Sequence, residues 1–194
     1  MAAGLAEVAK ATSVDGSGDE GAAIEALIAA GEHREALTRA ARAYAAPIGR
    51  LCMAFTGSQA ESEELVQETL LAALAALPQY RGDGTFRAFL FGIARRLSGR
   101  HVEMRGRREA RLRLVHDTSR SRDADELTLE RELAARTRAA LAKLKPSERE
   151  ALVLRYEGEL SFRELSVACG VDEAAARKRV SRALSRLRAD LGEE

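Results

Sequence analysis

No stretch of this chain alternates β-branched with polar residues, and apolar residues instead recur at helical spacing through most of its length. Ala and Leu, both strong helix formers, supply most of that apolar content, and only three Pro interrupt it. The expected fold class is therefore all-α, and 194 residues leave room for one or two small domains. Hydrophobic residues make up 46% of the chain, enough for real cores, although aromatics are only 4% and Trp is absent.

Punctuation divides the helical pattern. Residues 12–21, TSVDGSGDEG, are small, polar and acidic, so 1–21 reads as a disordered lead-in. A first domain spans 22–113. Its pattern begins near Ala22, breaks at Gly31, resumes through Ala36–Phe55 with a kink expected at Pro47, and stops at Gly57. A helix from about Ala60 to Leu77 ends before Pro78. Residues 81–84, RGDG, form a turn, and another helix starts near Thr85. Residues 114–126 lose apolar periodicity and read as a flexible linker. A second helical domain spans 127–194, with breaks at Lys145–Pro146 and Glu157–Gly158.

Charge is segregated although the net value is +1. Residues 1–35 hold seven acids against two bases, and 51–80 hold four acids with no Lys or Arg. Residues 86–113 hold nine Arg against two acids, and 172–188 hold six bases against two acids. Two cationic blocks set apart in this way concentrate positive potential where polyanions can dock. Solvated helix faces account for the same charges. The predominance of Arg suits bidentate phosphate contact, or reflects a GC-rich genome.

Helical projection sharpens these blocks. Along 60–77, Val66, Leu70, Ala73, Leu74 and Leu77 form a core stripe. Glu61, Glu64 and Glu68 fall opposite, with Gln67 on the flank, and Leu71 interrupts the acidic face. Along the helix after Thr85, Phe86, Leu90, Ile93 and Leu97 face the core. Arg87, Phe91, Arg95 and Ser98 face away, and a basic run continues through Arg100, His101, Arg105, Arg107, Arg108, Arg111 and Arg113.

Residues 161–188, SFRELSVACGVDEAAARKRVSRALSRLR, are the most informative segment. Ser161 and Glu164 fit a capping box, Gly170 makes a tight corner, and Asp172 caps the next helix. Small Ser166 and Ala176 sit where two helices crossing at a short turn would touch, which is a helix-turn-helix pattern. In the second helix Ala176, Val180, Ala183, Leu184 and Leu187 face the core. Ala174, Ala175, Lys178, Ser181, Arg182 and Ser185 form a narrow outer face suited to a major groove. Arg179 and Arg186 lie on the flank, nearer to phosphates and outside the core. An ordinary helical hairpin with a basic outer face is the competing reading.

Residues 143–191 resemble region four of extracytoplasmic-function sigma factors, and residues 44–108 resemble region two. ESEELVQETLLAAL is similar to the family's acidic, Gln-containing helix, and FRAFLFGIARRLSGRHVEMRGRR to its promoter-melting segment. Two motifs in the family's order span about seven-tenths of the chain. The resemblance implies a transcription initiation factor that binds core RNA polymerase and promoter DNA, answers to an anti-sigma factor, and is no enzyme. It implies that Glu61, Glu64, Gln67, Glu68 and Leu71 dock on polymerase. Opening of the minus-ten element would fall to Arg87, Phe89, Phe91, Arg95, Arg96, Arg100, His101, Arg105, Arg107 and Arg108. Reading of the minus-thirty-five element would fall to Arg163, Ala174, Ala175, Arg177, Lys178, Arg179, Ser181, Arg182 and Arg186. Phe89 and Phe91 are the candidate stacking platforms, although Phe89 also fits as an extension of the core stripe. The chain departs from the family at Phe89, usually Trp, at Arg96, often Asn, and at Ala174–Ala175, usually Gly-Thr. The acidic segment 1–35 has no clear match.

Other chemistry finds little support. Cys52 and Cys169 lie inside apolar helical patterns, as buried thiols of a reducing compartment would. His33, His101 and His116 are scattered, so neither a metal nor a cofactor is expected. No basic region followed by an apolar core opens the chain, and no stretch approaches roughly 18 apolar residues, so a cytoplasmic protein without membrane insertion is expected. A stand-alone helix-turn-helix regulator with a partner-sensing N-terminal domain is the alternative. The acidic, Leu-bearing face of 60–77 weighs against it.

Overall fold

The computed structural model describes residues 16–115, 139–141 and 143–191, and every regular element among them is helical. Four helices form an N-terminal bundle: α1 Gly16–Ala29, α2 His33–Thr56, α3 Gln59–Ala76 and α4 Phe86–Val115. A single 3-10 turn, Leu77–Gln79, follows α3. Among the described residues of the C-terminal part, the helices that follow are α5 Pro146–Tyr156, α6 Phe162–Cys169 and α7 Glu173–Leu191. Among the described residues no helix is long and apolar enough to cross a membrane.

The ends of the helices follow local chemistry. Gly57 closes α2 in the left-handed conformation at φ 69°, with its N–H donating to the Met53 carbonyl. Ser58 then caps α3 by accepting from the Glu61 amide. Pro146 occupies the first turn of α5, where its missing N–H costs nothing. Helix α2 runs through Pro47 without interruption as an element. Helix α1 begins at Gly16, inside the segment read as a lead-in. Residues 1–15 and the linker from 116 onward lie outside the described residues, while 114 and 115 still belong to α4.

The N-terminal core gathers Ile24, Tyr44, Ile48, Leu51, Leu65, Phe86 and Leu90, all buried. Helix α3 is rotated from its expected setting. Ser62, Leu65, Thr69 and Ala73 are its most buried residues, while Val66, Leu70 and Leu74 are only partly covered. The reason is that α3 packs against both α2 and α4. Its buried hydroxyls satisfy themselves on backbone: Ser62 donates to the Gly49 carbonyl at 2.8 Å and Thr69 to the Leu65 carbonyl at 2.6 Å. Tyr80, Phe86 and Phe89 form an aromatic cluster with ring centroids 5.0–5.9 Å apart, so Phe89 joins the packing as its core alternative had it.

The C-terminal core contains Leu154, Leu160, Leu165, Ala176, Val180 and Ala183. The capping box is formed on both sides, and Gly170 turns the corner at φ 64°. Asp172 accepts from the Ala175 amide at 2.7 Å to start α7. Of the two small residues expected at the crossing, Ala176 is fully buried, whereas Ser166 is partly exposed and donates to the Arg163 carbonyl at 2.7 Å.

The first half of α4 is covered on both sides. One face packs in the N-terminal bundle, and the other packs on α6. Two residues expected to face away are therefore inside: Phe91 is 0% exposed, and Ser98 is buried against Cys52, donating to its Sγ at 3.5 Å. Burial pushes the Cys52 thiol above its ordinary range, opposed in part by that Ser98 bond.

Candidate nucleic-acid interface

The outer face of α3 is open. Glu64, Gln67 and Glu68 are exposed, and Leu71 is 67% exposed. A large apolar side chain held in water within an acidic surface is what a docking face for another protein presents. Glu61 is engaged differently. Its carboxylate accepts from Arg105 at 2.9 Å and lies 3.2 Å from His101 Nε2, tying the start of α3 to the middle of α4. Arg105 also donates to the Thr56 carbonyl at 3.0 Å. Of the residues expected on the docking face, Glu61 is thus turned toward α4, whereas the other four project outward.

The cationic residues of α4 fall into two groups. Arg96, Arg100, Arg107 and Arg108 are exposed along its outer side, with Met104, 58% exposed, among them. Arg107 pairs with Glu103 one turn away at 3.2 Å, a solvated contact of small energy. Arg87 and Arg95 instead point into the C-terminal helices. Arg87 Nη2 donates to the Gly158 carbonyl at 2.7 Å, and its Nη1 lies 3.9 Å from Glu164. Arg95 Nη1 donates to Glu150 at 2.8 Å, and its Nε donates to the Ala168 carbonyl at 3.2 Å. Phe91 lies between them, beneath the Arg87 guanidinium at 5.7 Å. The expected single basic surface is therefore split, because the C-terminal helices occupy its first two turns.

Helix α7 presents its outer face to solvent. Ala174, Lys178, Ser181, Arg182 and Ser185 are exposed, and Ala175 and Arg179 partly so. Arg177 pairs with Glu173 on the same helix and stacks over Phe162 at 4.5 Å, and Arg163 of α6 is exposed. Arg186 requires a correction. It sits on the flank, but its Nη1 donates to Glu148 at 2.7 Å, and the Glu148 side chain is only 5% exposed. It neutralises a buried carboxylate and so helps hold the fold, because α5 lays Glu148 against this flank.

Three residues play parts here that no sequence signal marked. Glu25 of α1 accepts from the Phe86 amide at 2.8 Å and so caps α4 from a distance of 61 residues. Glu150 and Glu164 face arginines of the other bundle. Glu164 was readable as a cap, and nothing local marked its second role. Among the described residues no group of three or more His, Cys, Asp or Glu is placed to hold a metal.

A Sigma-70 region 2 model matches residues 31–108, and a Sigma-70 region 4 model matches residues 134–187. The ECF RNA polymerase sigma factor SigC of Mycobacterium tuberculosis is 30% identical over 177 residues, covering 90% of this chain and 93% of its own. The ECF RNA polymerase sigma factor EcfG of Rhodopseudomonas palustris is 33% identical over 144 residues, covering 71% and 75%. Among solved structures, CnrH in complex with the cytosolic domain of CnrY superposes with a TM-score of 0.67 at 26% identity, over 90% of this chain and 99% of that one. The sigma factor RpoE of Bartonella quintana, co-crystallised with the anti-sigma factor NepR, shares the fold with a TM-score of 0.61 at 24% identity, over 80% and 96%.

Proposed function

The chain belongs to the extracytoplasmic-function RNA polymerase sigma factors, and from that membership we propose how its helices divide the work. As a member it is a transcription initiation factor: it binds core RNA polymerase and directs it to promoters. In the proposed division, the outer face of α3 docks on polymerase through Glu64, Gln67, Glu68 and Leu71. Helix α4 contacts and opens the minus-ten element, and α7 reads the minus-thirty-five element through Lys178, Arg182 and their neighbours. The chain supplies binding energy and no catalytic chemistry, and it acts in the cytoplasm.

The observation that carries this reading is the coexistence of one acidic, Leu-bearing face and two separate cationic helix faces on a single chain. A regulator that bound DNA alone would need only the last two. The energy would be used in sequence. Arg contacts to phosphate position the protein, base contacts select the site, and unpaired bases are captured on aromatic rings at about 1–3 kcal/mol each. Phe91 can serve as such a ring only when the C-terminal helices leave it. An anti-sigma factor that masks these faces is part of the same proposal; CnrH and RpoE are each seen with a bound partner protein.

Reversing Glu64 and Glu68 to Lys tests the docking assignment. Both side chains are exposed, so circular dichroism should show an unchanged fold, while capture of core polymerase in a pull-down should drop. Unchanged capture by a folded variant would remove α3 from the interface.

A further inference from the structure

We propose that Phe162, the first residue of α6, is a positioning residue for promoter binding: its ring carries the Arg177 guanidinium and aims it at the phosphate backbone beside the groove that α7 enters. This inference rests on the reading of α7 as the helix that meets the minus-thirty-five element.

A helix lying in a major groove turns one face to the bases and its two flanks to the two strands. Around α7, Lys178, Ser181 and Arg182 lie on the outer face, Arg179 and Arg186 share one flank, and Arg177 lies on the other. The first flank is depleted, since Arg186 is held by Glu148. On the opposite flank Arg177 is exposed near the start of the helix.

The ring beneath it belongs to another helix. The Arg177 guanidinium lies 4.5 Å from the centroid of the Phe162 ring, and that of Arg155, from α5, lies over the same ring at 5.0 Å. Arg155 Nη1 also donates to the Leu160 carbonyl at 2.6 Å, which ties it to the turn leading into α6. Phe162 itself is half-buried and packs against the core. The ring is thus fixed by its own packing and by Arg155, and Arg177 is laid on it from α7.

Stacking uses the face of a guanidinium and leaves the N–H groups along its edge free to donate to phosphate. It also restricts a long side chain before DNA arrives, so less rotamer freedom is lost when the phosphate binds. The edge of Arg177 now meets Glu173, one turn earlier on α7. Those two side chains are 59% and 44% exposed, so the pair is solvated and weak, and a phosphate can take the carboxylate's place without displacing the ring.

The test uses core polymerase charged with each full chain and titrated, at several potassium chloride concentrations, on a promoter duplex from which the parent initiates. Phe162→Leu keeps an apolar side chain against the core and removes the ring face. It should weaken binding about twofold to fivefold, the range of an exposed cation–π contact, with base preference unchanged. Phe162→Tyr should restore the parent's affinity. Arg177→Ala should lower the salt slope by about one unit, and on that background Phe162→Leu should cost nothing more. Arg177→Lys keeps the charge and loses the plane at an exposed position where folding is not at stake, so it should show the loss of Phe162→Leu even if that chain proves unstable. A Phe162→Leu loss of the same size with and without Arg177 would mean packing alone and overturn the platform. Parent affinity in Arg177→Lys, or an unchanged slope in Arg177→Ala, would overturn it too. Lys178→Ala, on single-base variants of the same promoter, separates this inference from the reading beneath it. Relaxed preference in Lys178→Ala without coupling between Phe162 and Arg177 sinks the platform alone. Coupling, with every base preference unchanged in Lys178→Ala, keeps the phosphate contact and sinks base reading by α7.

Discussion

At the scale of single residues, Arg186 of α7 donates to Glu148 of α5 at 2.7 Å and so joins two helices through a carboxylate that is only 5% exposed. Helical projection puts Arg186 on the flank of α7, but the projection of one helix cannot reveal the Glu148 carboxylate on another. With Glu148 buried beneath it, Arg186→Ala should lower stability as well as DNA affinity. The loss should be about 1–2 kcal/mol, short of the cost of breaking a fully buried pair because the guanidinium is half in water. Urea unfolding of the full chain measures it. Lys178 is the cleaner probe of recognition. Lys178→Ala should leave urea unfolding unchanged, cost about 1–3 kcal/mol at the cognate site, and relax preference at one base pair. Titration of polymerase charged with either chain, on single-base variants of a promoter, measures both effects. Tyr80 offers a test in pH. Burial, with Glu25 and Asp83 nearby, pushes its phenol up to about 12, and its hydroxyl donates to the Gly84 carbonyl at 2.6 Å. Because the folded value lies above the ordinary one of 10.0, this contribution is whole below pH 10 and is lost as pH rises through 12. Tyr80→Phe should therefore flatten the alkaline fall of stability in unfolding experiments between those limits.

At the scale of elements, what depends on neighbours in sequence was legible. The capping box of α6, the Gly170 corner, the Asp172 cap and the core stripe of α7 all rest on residues within one or two turns of each other, and all are formed as expected. The setting of α3 was less legible, because Ser62 and Thr69 look like surface residues until a backbone carbonyl is seen to accept from each. The start of α1 was hidden for a related reason. Its first turn, GSGD, is poor in helix formers, and the helix gains from packing on α2. Two substitutions separate local from tertiary control. Ser161→Ala removes one side of the capping box and should cost about 0.5–2 kcal/mol. Gly158→Ala inserts a methyl 2.7 Å from the Leu154 carbonyl and 2.9 Å from Leu160 Cδ1 and the Phe91 ring, and should cost about 1–3 kcal/mol by overpacking. Thermal unfolding of each variant gives the comparison.

At the scale of the whole molecule, the order of the two helical regions was legible and their mutual packing was not. The order follows from motifs, each recognisable alone. The packing follows from Arg87, Phe91 and Arg95 meeting Glu164, Gly158 and Glu150 across more than fifty residues of chain, and no periodicity announces such a meeting. That packing also gives the two parts a relation beyond being strung together, since the Arg87–Arg95 face of α4 is held by helices of the other part. The central claim is that this chain acts through polymerase, with α3 engaging the enzyme while α4 and α7 engage the promoter. The most direct test is one in-vitro transcription series, with core polymerase, the full chain and a promoter library. The account predicts selective initiation from a subset of promoters sharing two spaced elements, absent without the chain and reduced by the Glu64→Lys, Glu68→Lys double variant. Sequence-specific binding of the chain to duplex DNA, with no selective initiation when core polymerase is present, would contradict it and favour a regulator that works alone.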